Sequence, residues 1–332
     1  MRPVGNMPPK IGVIMPFFQR QSGVLLPAIR SALSQEVRPA FILVVDDGSP
    51  VAARDELGAL PPEERQRIRL IEQPNAGPAA ARNRGLDHLP AEAEFVAFLD
   101  SDDFWEPGHL ANALAAFRQG ADFYFSRFET FHSAEARTST AAFDRLPRTS
   151  PLPEGHELFR CPDSLLDALL RASPVRTSTV VYRREVARDL RFRHDLTIFE
   201  DIFFWCEIAG RTDSVIFSTE CEVQCGRGVN IAASVVWDSP RALGYLLAES
   251  RLHRLIARRF LLSPEQLHWQ NRYRARIRSS FAPSLLHLLF HRKPIHWPTV
   301  VAFARAEPEV LPRLLQVGCC QAIHLLRSRL EL

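Results

Sequence analysis

The sequence predicts an α/β fold of Rossmann-like form, in which helices flank a mostly parallel sheet and a helical extension follows. Short apolar runs alternate with helical patterns over the first 130 residues, which is typical of βαβ units. The run Phe95–Leu99 is followed at once by the acidic segment Asp100–Asp103, as expected where open α/β sheets bind ligands. From Ser239 onward the patterns are helical throughout, which predicts the extension.

Four apolar runs predict the strands of the sheet, namely Ile11–Met15, Phe41–Val45, Ile68–Ile71 and Phe95–Leu99. Between the first two strands, apolar residues from Val24 to Leu33 recur at helical spacing and predict a helix. We expect the third helix to begin near Pro78, and Pro107 to lie in the first turn of the fourth, because proline is favoured at that position.

The second half of the domain begins with a stretch rich in Ser, Thr, Arg and Pro, from about residue 130 to 155, which predicts a loop or a mobile lid. Three elements are expected after it: a helix at Ser164–Arg171, a strand at Thr179–Tyr182 and a helix at Ile202–Ala209. The last of these is apolar on most sides, which indicates a buried helix.

The extension is expected to contain amphipathic helices with basic polar faces. Ser239-Pro240 and Ser263-Pro264 each place an N-cap residue before a proline, and Ser263 with Gln266 fits a capping box. The arginines available for the polar faces are Arg251, Arg254, Arg258, Arg259, Arg272, Arg274, Arg276 and Arg278. We therefore divide the chain into a domain at 1–238, with halves at about 10–130 and 155–238, and an extension at 239–332.

The net charge of +3 hides an asymmetry between these two parts. Residues 241–332 hold 15 Arg and Lys against 5 Asp and Glu, whereas residues 1–240 hold 26 against 33. The six cysteines show no zinc-binding spacing, and no segment has the apolar length of a signal peptide core or a membrane span. We expect a cytoplasmic protein. Its basic extension fits either of two interpretations: a surface that lies on an anionic membrane, or a soluble helical subdomain or dimer interface whose arginines are solvated.

The acidic residues at the strand ends are the main candidate site. Asp100, Asp102 and Asp103 repel one another, which predicts a bound Mg²⁺ or Mn²⁺ that carries phosphate oxygens. Asp46 and Asp47 end the second strand in the same way. Their alternative interpretation is that they initiate the turn at Gly48 and cap a helix.

Three further segments carry polar candidates. Asn75–Gly85 follows the third strand and opens a helix whose N-terminus favours anions. For Arg82 and Asn83 we favour the structural interpretation, in which they satisfy buried carbonyls of a tightly packed turn. Asp201 stands with Glu200 at the start of the buried helix, a position that favours the ionised carboxylate of a general base or of a simple cap. Arg227, between two glycines, fits either a phosphate ligand or an exposed turn.

The ordered series of these motifs resembles the family 2 glycosyltransferases of the GT-A fold. The series is Pro16–Gln19, Asp46–Ser49, Asn75–Gly85, Asp100–Asp103 and Glu200-Asp201, and the resemblance covers residues 10–235. A narrower resemblance is to the glucosyltransferases that extend the side chain of succinoglycan-type bacterial exopolysaccharides. It rests on the segments Pro61–Ile68, Gln73–Pro78, Val96–Asp103, Arg227–Ile231 and Asp238–Pro240. The resemblance implies UDP-glucose as the donor and a polyprenyl-diphosphate-linked oligosaccharide as the acceptor.

The resemblance also implies a role for each candidate residue. Pro16, Phe17 and Phe18 would line the base pocket, and Asp47 or Asp46 would bind the uracil ring. Asp100, next to Ser101, would face the ribose, and Asp102, with Asp103 nearby, would bind Mn²⁺ or Mg²⁺. Asp201 would be the general base, with Glu200 as its orienting partner. Asn75, Gly77, Arg82 and Arg227 complete the residues expected near the nucleotide.

Two other classes of function stay open at this stage. A nucleotidyltransferase also uses metal-binding acids on an α/β sheet, but the segment after the first strand lacks the expected glycine-rich loop with a lysine. A binding module without catalysis would not need Asp201. We expect no nucleic-acid partner, because the first 240 residues are acidic and the sequence contains no recognised nucleic-acid-binding motif.

Overall fold

The computed structural model describes residues 9–130, 143–147, 150–153, 157–212, 214–226, 238–314 and 316. The chain forms two compact units. The first contains residues 1–195 and 200–229, and the second contains residues 196–199 and 230–332. The expected division of the chain at residue 238 stays a prediction.

The first half of the sheet is built from parallel βαβ units, as predicted. Its elements are β1 (Ile11–Phe17), α1 (Leu25–Leu33), β2 (Phe41–Asp46), α2 (Ala53–Leu57), α3 (Pro62–Arg65), β3 (Ile68–Glu72), α4 (Pro78–His88) and β4 (Phe95–Phe98). These strands lie in the order β3-β2-β1-β4, and all three pairings are parallel. The four predicted strands and the helix start at Pro78 are confirmed.

The second half adds strands of mixed direction to the free side of β4. Its elements are β5 (Phe104–Trp105), α5 (His109–Arg118), β6 (Phe123–Thr130), β7 (Leu158–Arg160), α6 (Leu165–Ala172), β8 (Val180–Arg183), α7 (Glu200–Ala209) and β9 (Val215–Cys225). The sheet continues as β4-β8-β6-β9-β5, and β7 also pairs with β9. Only the β6–β9 pairing is parallel in this described half. The prediction of a mostly parallel sheet flanked by helices is confirmed, and the antiparallel pairings all involve strands of this second half.

The chain reverses its direction of travel across the sheet at β1. The units after β1 lead outward to β2 and β3, and β4 then pairs on the other side of β1. Ligands of open α/β sheets bind at the carboxyl ends of strands at such a switch point. Helix α4 packs closely beneath it, since a Cβ added at Gly85 would lie 2.4 Å from Ile14 Cγ2.

One local prediction in the first unit is wrong, and a second falls mostly outside the described residues. Helix α5 begins at His109 rather than at Pro107, because the Pro107 carbonyl accepts from Glu36 N at 3.0 Å and so leaves the helical pattern. The stretch at 130–155, expected as a loop or lid, lies mostly outside the described residues. Its described residue Phe143 is buried and contacts the rings of Phe125 and Phe217, because these aromatic side chains form part of the core.

The second unit is helical, as predicted. It contains α8 (Ala242–Arg259), α9 (Pro264–Phe290), α10 (Trp297–Ala306) and a short helical segment at 310–314. Its buried core includes Leu247, Ile277 and the stacked rings of Phe281 and Phe303, whose centroids are 3.7 Å apart. None of the helices within the described ranges is long and apolar enough to cross a membrane.

The predicted helix starts of this unit have different outcomes. Ser263 caps α9 and exchanges hydrogen bonds with Gln266 in the expected capping box. Ser239-Pro240 does not start α8, which begins at Ala242, because the Ser239 carbonyl closes a single turn with Ala242 N at 3.0 Å.

Several arginines expected on polar faces are held inside this unit. Arg274 and Arg278 bind the buried carboxylate of Glu307, Arg276 binds Glu249, and Arg254 donates to the Ala306 carbonyl. These four side chains therefore link the helices of the unit to one another.

Candidate active site

The carboxyl ends of β1, β2 and β4 bring the predicted polar residues to one edge of the sheet. Gln19, just after β1, donates from Nε2 to Ser101 Oγ at 3.3 Å, and its backbone N–H donates to Ser49 Oγ at 2.8 Å. Gln19 thus links the loop after β2 to the loop after β4. Sequence reasoning placed Gln19 in a motif but gave it no role.

Phe17 does not line a pocket with its side chain, contrary to the prediction for the Pro16–Phe18 segment. It is fully buried in the same core cluster as Val13 and Met15, because alternate residues of a strand share a face. Pro16 and Phe18 are only partly buried and lie on the opposite face. They remain the side chains of this segment that are available to a ligand.

Asp46 acts as a local cap. Its Oδ1 accepts from Ser49 N and its Oδ2 accepts from Ala53 N, both at 2.8 Å, so it closes the turn at Gly48 and caps α2. The turn-and-cap interpretation therefore describes Asp46.

Asp47 organises the loop after β3. Its Oδ1 accepts from Gln73 Nε2 and Ala76 N, and its Oδ2 accepts from Gly77 N and, at 3.2 Å, from Asn75 Nδ2. These four donors fill the usual acceptor positions of a carboxylate. Asp47 thereby fixes the Asn75–Gly77 segment, in which Gly77 has a φ of 90° that favours glycine.

The acidic segment after β4 is clamped by a short 3₁₀ helix at Thr177–Thr179. The hydroxyl of buried Ser178 donates to Asp103 Oδ2 at 2.6 Å and accepts from Asp100 N at 3.0 Å. Asp103 Oδ1 accepts from Gly226 N at 2.9 Å. Asp103 is therefore held from both sides, whereas Asp102 is only partly buried and Asp100 is one-third exposed.

The donor set of this segment fits a hard cation. Burial, together with the charges of Asp100 and Asp102, raises the pKa of Asp103 to about 8. A divalent cation would relieve this crowding of carboxylates through oxygen ligands. The described residues contain no preformed group of three or more ligating side chains, and the predicted ligand Asp103 already bonds Ser178 and Gly226. Asp102 is only partly buried and is therefore the more accessible of the predicted metal pair.

Arg82 joins the acidic segment to the second acidic pair. It is buried in α4, and its two terminal nitrogens donate to Asp100 Oδ1 at 2.9 Å and to Glu200 Oε1 at 2.8 Å. Burial opposes its positive charge, but the charges of Asp100 and Glu200 outweigh that effect and raise the pKa of Arg82. Arg82 is therefore an ionic bridge between the two predicted parts of the site, which sequence reasoning did not foresee.

The second pair opens α7, as the sequence predicted to within two residues. Burial and the charge of Asp201 raise the pKa of Glu200 to about 7, although Arg82 acts in the opposite direction. Asp201 Oδ1 accepts from Ile202 N at 2.8 Å at the helix N-terminus, and its Oδ2 accepts from Thr177 Oγ1 at 3.0 Å. Both oxygens are thus oriented, and the side chain stays partly exposed.

The 3₁₀ helix is the part of the site that sequence reasoning missed. Through Thr177 and Ser178, adjacent hydroxyls bind Asp201 on one side and the Asp100–Asp103 segment on the other. Only the hydroxyl run Thr177–Thr179 signals it in the sequence. The predicted Arg227 lies outside the described residues, so its role stays a prediction.

Comparisons with known proteins identify the family of the chain. Residues 12–168 match the family described as glycosyl transferase family 2. The chain is 36% identical over 237 residues to the succinoglycan biosynthesis protein ExoW of Rhizobium meliloti, covering 70% of this chain and 74% of that protein. It is 26% identical to the putative teichuronic acid biosynthesis glycosyltransferase TuaG of Bacillus subtilis, covering 75% of this chain and 91% of that protein.

Solved structures support the fold. TarS 1–349 of S. aureus in complex with UDP-GlcNAc superposes with a TM-score of 0.59 at 18% identity, covering 91% of this chain and 80% of that one. The mannosyltransferase PcManGT of Pyrobaculum calidifontis, in complex with GDP-Man and Mn²⁺, has a TM-score of 0.54 at 17% identity and covers 92% and 81%. The fold is thus that of GT-A glycosyltransferases, and the chain belongs to glycosyl transferase family 2.

Proposed function

We propose that this glycosyltransferase is an inverting, metal-dependent enzyme that moves a hexose, glucose from UDP-glucose, onto a lipid-linked oligosaccharide in exopolysaccharide synthesis. The observation that carries the proposal is the Arg82 bridge, which joins the acidic segment after β4 to the Glu200-Asp201 pair. A transferase needs a donor-binding site next to a general base. The bridge holds the carboxylates proposed for the donor site close to the carboxylate pair that contains the proposed base.

Asp201 is the proposed general base. It takes the proton of the acceptor hydroxyl while that oxygen bonds to the anomeric carbon and the bond from carbon to the UDP oxygen breaks. One displacement of this kind inverts the anomeric carbon, so an α-linked donor yields a β-linkage. The hydrogen bonds from Thr177 and Ile202 hold the carboxylate in one orientation, and Glu200 would orient the base or the acceptor.

The donor is proposed to lie along the carboxyl ends of β1, β2 and β4. Pro16 and Phe18 would line the base pocket, and the loop held by Asp47 would present Asn75 and Gly77 to the nucleotide. Asp100 would face the ribose, and Asp102 would hold Mn²⁺ or Mg²⁺. When bound, such an ion supplies positive charge that stabilises the leaving diphosphate.

The relatives support the choice of donor and pathway. The TarS structure contains UDP-GlcNAc, and ExoW is named for succinoglycan biosynthesis. A UDP-sugar donor and an exopolysaccharide acceptor are the simplest extension of these two names. The acceptor on a polyprenyl diphosphate would place the enzyme at the inner membrane, where the basic second unit favours anionic lipid.

The direct test is UDP release from UDP-glucose in the presence of a lipid-linked acceptor. We expect release to stop with EDTA and to return when Mn²⁺ or Mg²⁺ is added in excess. We expect Asp201→Asn to lower kcat by a factor on the order of 10² to 10⁴ while UDP binding, measured by calorimetry, stays unchanged. UDP-, dTDP- and GDP-sugars compared in the same assay identify the donor.

Asp87→Asn is the matched control, since Asp87 is an exposed carboxylate of α4 that pairs with Arg191 on the surface. Its activity should equal that of the unmodified protein. Release that does not require metal, or full activity in Asp201→Asn, would contradict the proposal.

A further inference from the structure

The exposed large hydrophobic side chains of the described residues are concentrated in the second unit. All of them lie between residues 261 and 311: Leu261, Leu267, Leu289, Phe290, Trp297, Val301 and Leu311. Four of these belong to the end of α9 and the start of α10, where Phe290 is 55% and Trp297 is 56% exposed. The turn between these helices therefore carries an exposed apolar cluster.

The same turn lies in a stretch of chain without acidic residues. Residues 266–306 contain no Asp or Glu and seven Arg or Lys. Arg292 follows Phe290 in the turn, and Arg305 stands two helical turns after Trp297, on the face that also carries exposed Val301. We define the α9–α10 turn surface as the exposed residues 289–292, 296, 297, 301 and 305.

Other arginines of this unit form ion pairs with carboxylates of the same unit. Arg274 and Arg278 bind Glu307, and Arg276 binds Glu249, so their charges are neutralised within the unit. The turn surface instead combines exposed arginines with a tryptophan and a phenylalanine. That combination is typical of proteins that lie at a membrane interface, where aromatic rings enter the headgroup region and basic groups meet lipid phosphates.

We propose that the α9–α10 turn surface docks this enzyme on an anionic lipid bilayer. The inference rests on the proposed function in one respect, because a lipid-linked acceptor is available only at a bilayer. Phe290 and Trp297 insert at the level of the headgroups, while Arg292 and Arg305 neutralise lipid phosphates. The surface binds lipid without a membrane-spanning segment.

Charge favours a bilayer over a second copy of the chain as the occupant. A symmetric dimer would place this surface against itself, and its arginines, Arg292 and Arg305, would face the same charges of the second copy, because the surface holds no Asp or Glu of its own. An anionic bilayer satisfies the same charges.

The test measures co-sedimentation of the full chain with vesicles of phosphatidylcholine alone and with vesicles that contain phosphatidylglycerol. We expect binding to the anionic vesicles only. Phe290→Ala combined with Trp297→Ala should abolish it, and Arg292→Gln or Arg305→Gln should each weaken it about fivefold. The matched control is Leu261→Ala, because Leu261 is fully exposed at the other end of α9, a helix of 27 residues that spans about 40 Å.

The outcomes separate this inference from the proposed function. Loss of binding in the turn variants but not in Leu261→Ala, with UDP release to a water-soluble acceptor unchanged, supports the docking surface. Equal binding of all variants, or no binding of the unmodified chain, overturns it even if the enzyme is active. A dimer seen by light scattering that the same variants dissociate, without vesicle binding, would assign the surface to self-association and also overturn it. Vesicle binding without UDP release would leave the surface in place and contradict the function.

Discussion

Thr177 shows how much of the site depends on a single hydroxyl. Its Oγ1 donates to Asp201 Oδ2 at 3.0 Å, and the residue is almost fully buried. The neighbouring Ser178 holds Asp103 in the same way. The two proposed chemical groups, the base and the metal-side carboxylates, are therefore positioned by adjacent residues of one short segment.

We expect Thr177→Val to lower kcat about tenfold with little change in the donor KM, because the isosteric valine removes a hydrogen bond to a carboxylate without opening a cavity. Thr177→Ser keeps the hydroxyl and should retain most of the activity. The measurement is steady-state kinetics of UDP release at several pH values. A purely structural role would instead lower the melting temperature in both variants and leave the pH profile unchanged.

The raised pKa of Glu200 predicts a pH dependence near neutrality. With a pKa of about 7, Glu200 is protonated in mild acid, which removes its charge from Arg82 and from Asp201. We expect kcat/KM to rise with pH up to about 7 and then level, and Glu200→Gln to lose this rise.

The same shift has a consequence for stability. A carboxyl whose pKa in the fold exceeds its ordinary value of 4.5 stabilises the fold below that value, and the contribution is lost as pH rises to about 7. Thermal unfolding of Glu200→Gln should therefore show a smaller decline between pH 5 and 8 than the unmodified protein. An identical decline in both proteins would contradict the assignment.

At the scale of elements, the end of β9 meets the loop after β4 at Gly226. A Cβ added there would lie 1.6 Å from the Asp102 carbonyl oxygen, which no backbone can accommodate without moving. The close approach allows Gly226 N to donate to Asp103. The glycine is thus required for the contact between two loops rather than for a turn.

We expect Gly226→Ala to separate these loops and to reduce metal-dependent UDP release, at a cost in stability of about 1 to 3 kcal/mol. The matched control is Gly244→Ala in α8, where an added Cβ meets no atom within 4 Å and alanine favours the helix. Activity as a function of Mn²⁺ concentration and thermal unfolding check both variants. Equal behaviour of the two would show that the contact at Gly226 is not required.

At the scale of the whole molecule, local sequence patterns predicted the strands, the helix start and the cap that neighbouring residues determine. Apolar periodicity gave β1 to β4, the proline at residue 78 gave the start of α4, and Ser263 with Gln266 gave the capping box. The helix expected from Ser239-Pro240 failed, because a turn there competes with the cap.

Contacts between distant segments were beyond these patterns. Arg82 and Glu200 are 118 positions apart, and Ser178 and Asp103 are 75 apart, so no periodicity relates them. Asp46 and Asp47 are adjacent, yet only the folded loops show that one caps α2 and the other fixes Asn75–Gly77. The sequence thus identified the chemical groups of the site but not the residues that orient them.

The position of β4 in the sheet also constrains how the protein is made. One neighbour of β4 in the sheet is β1, which is synthesised before it. The other neighbour is β8, Val180–Arg183, which is synthesised much later. A ribosome that has released β4 must add some eighty further residues before this edge can close. During that interval the growing chain presents an open strand edge, a template for unwanted pairing with other chains. We expect slower translation between residues 98 and 183 to expose this edge for longer and to lower the yield of folded protein.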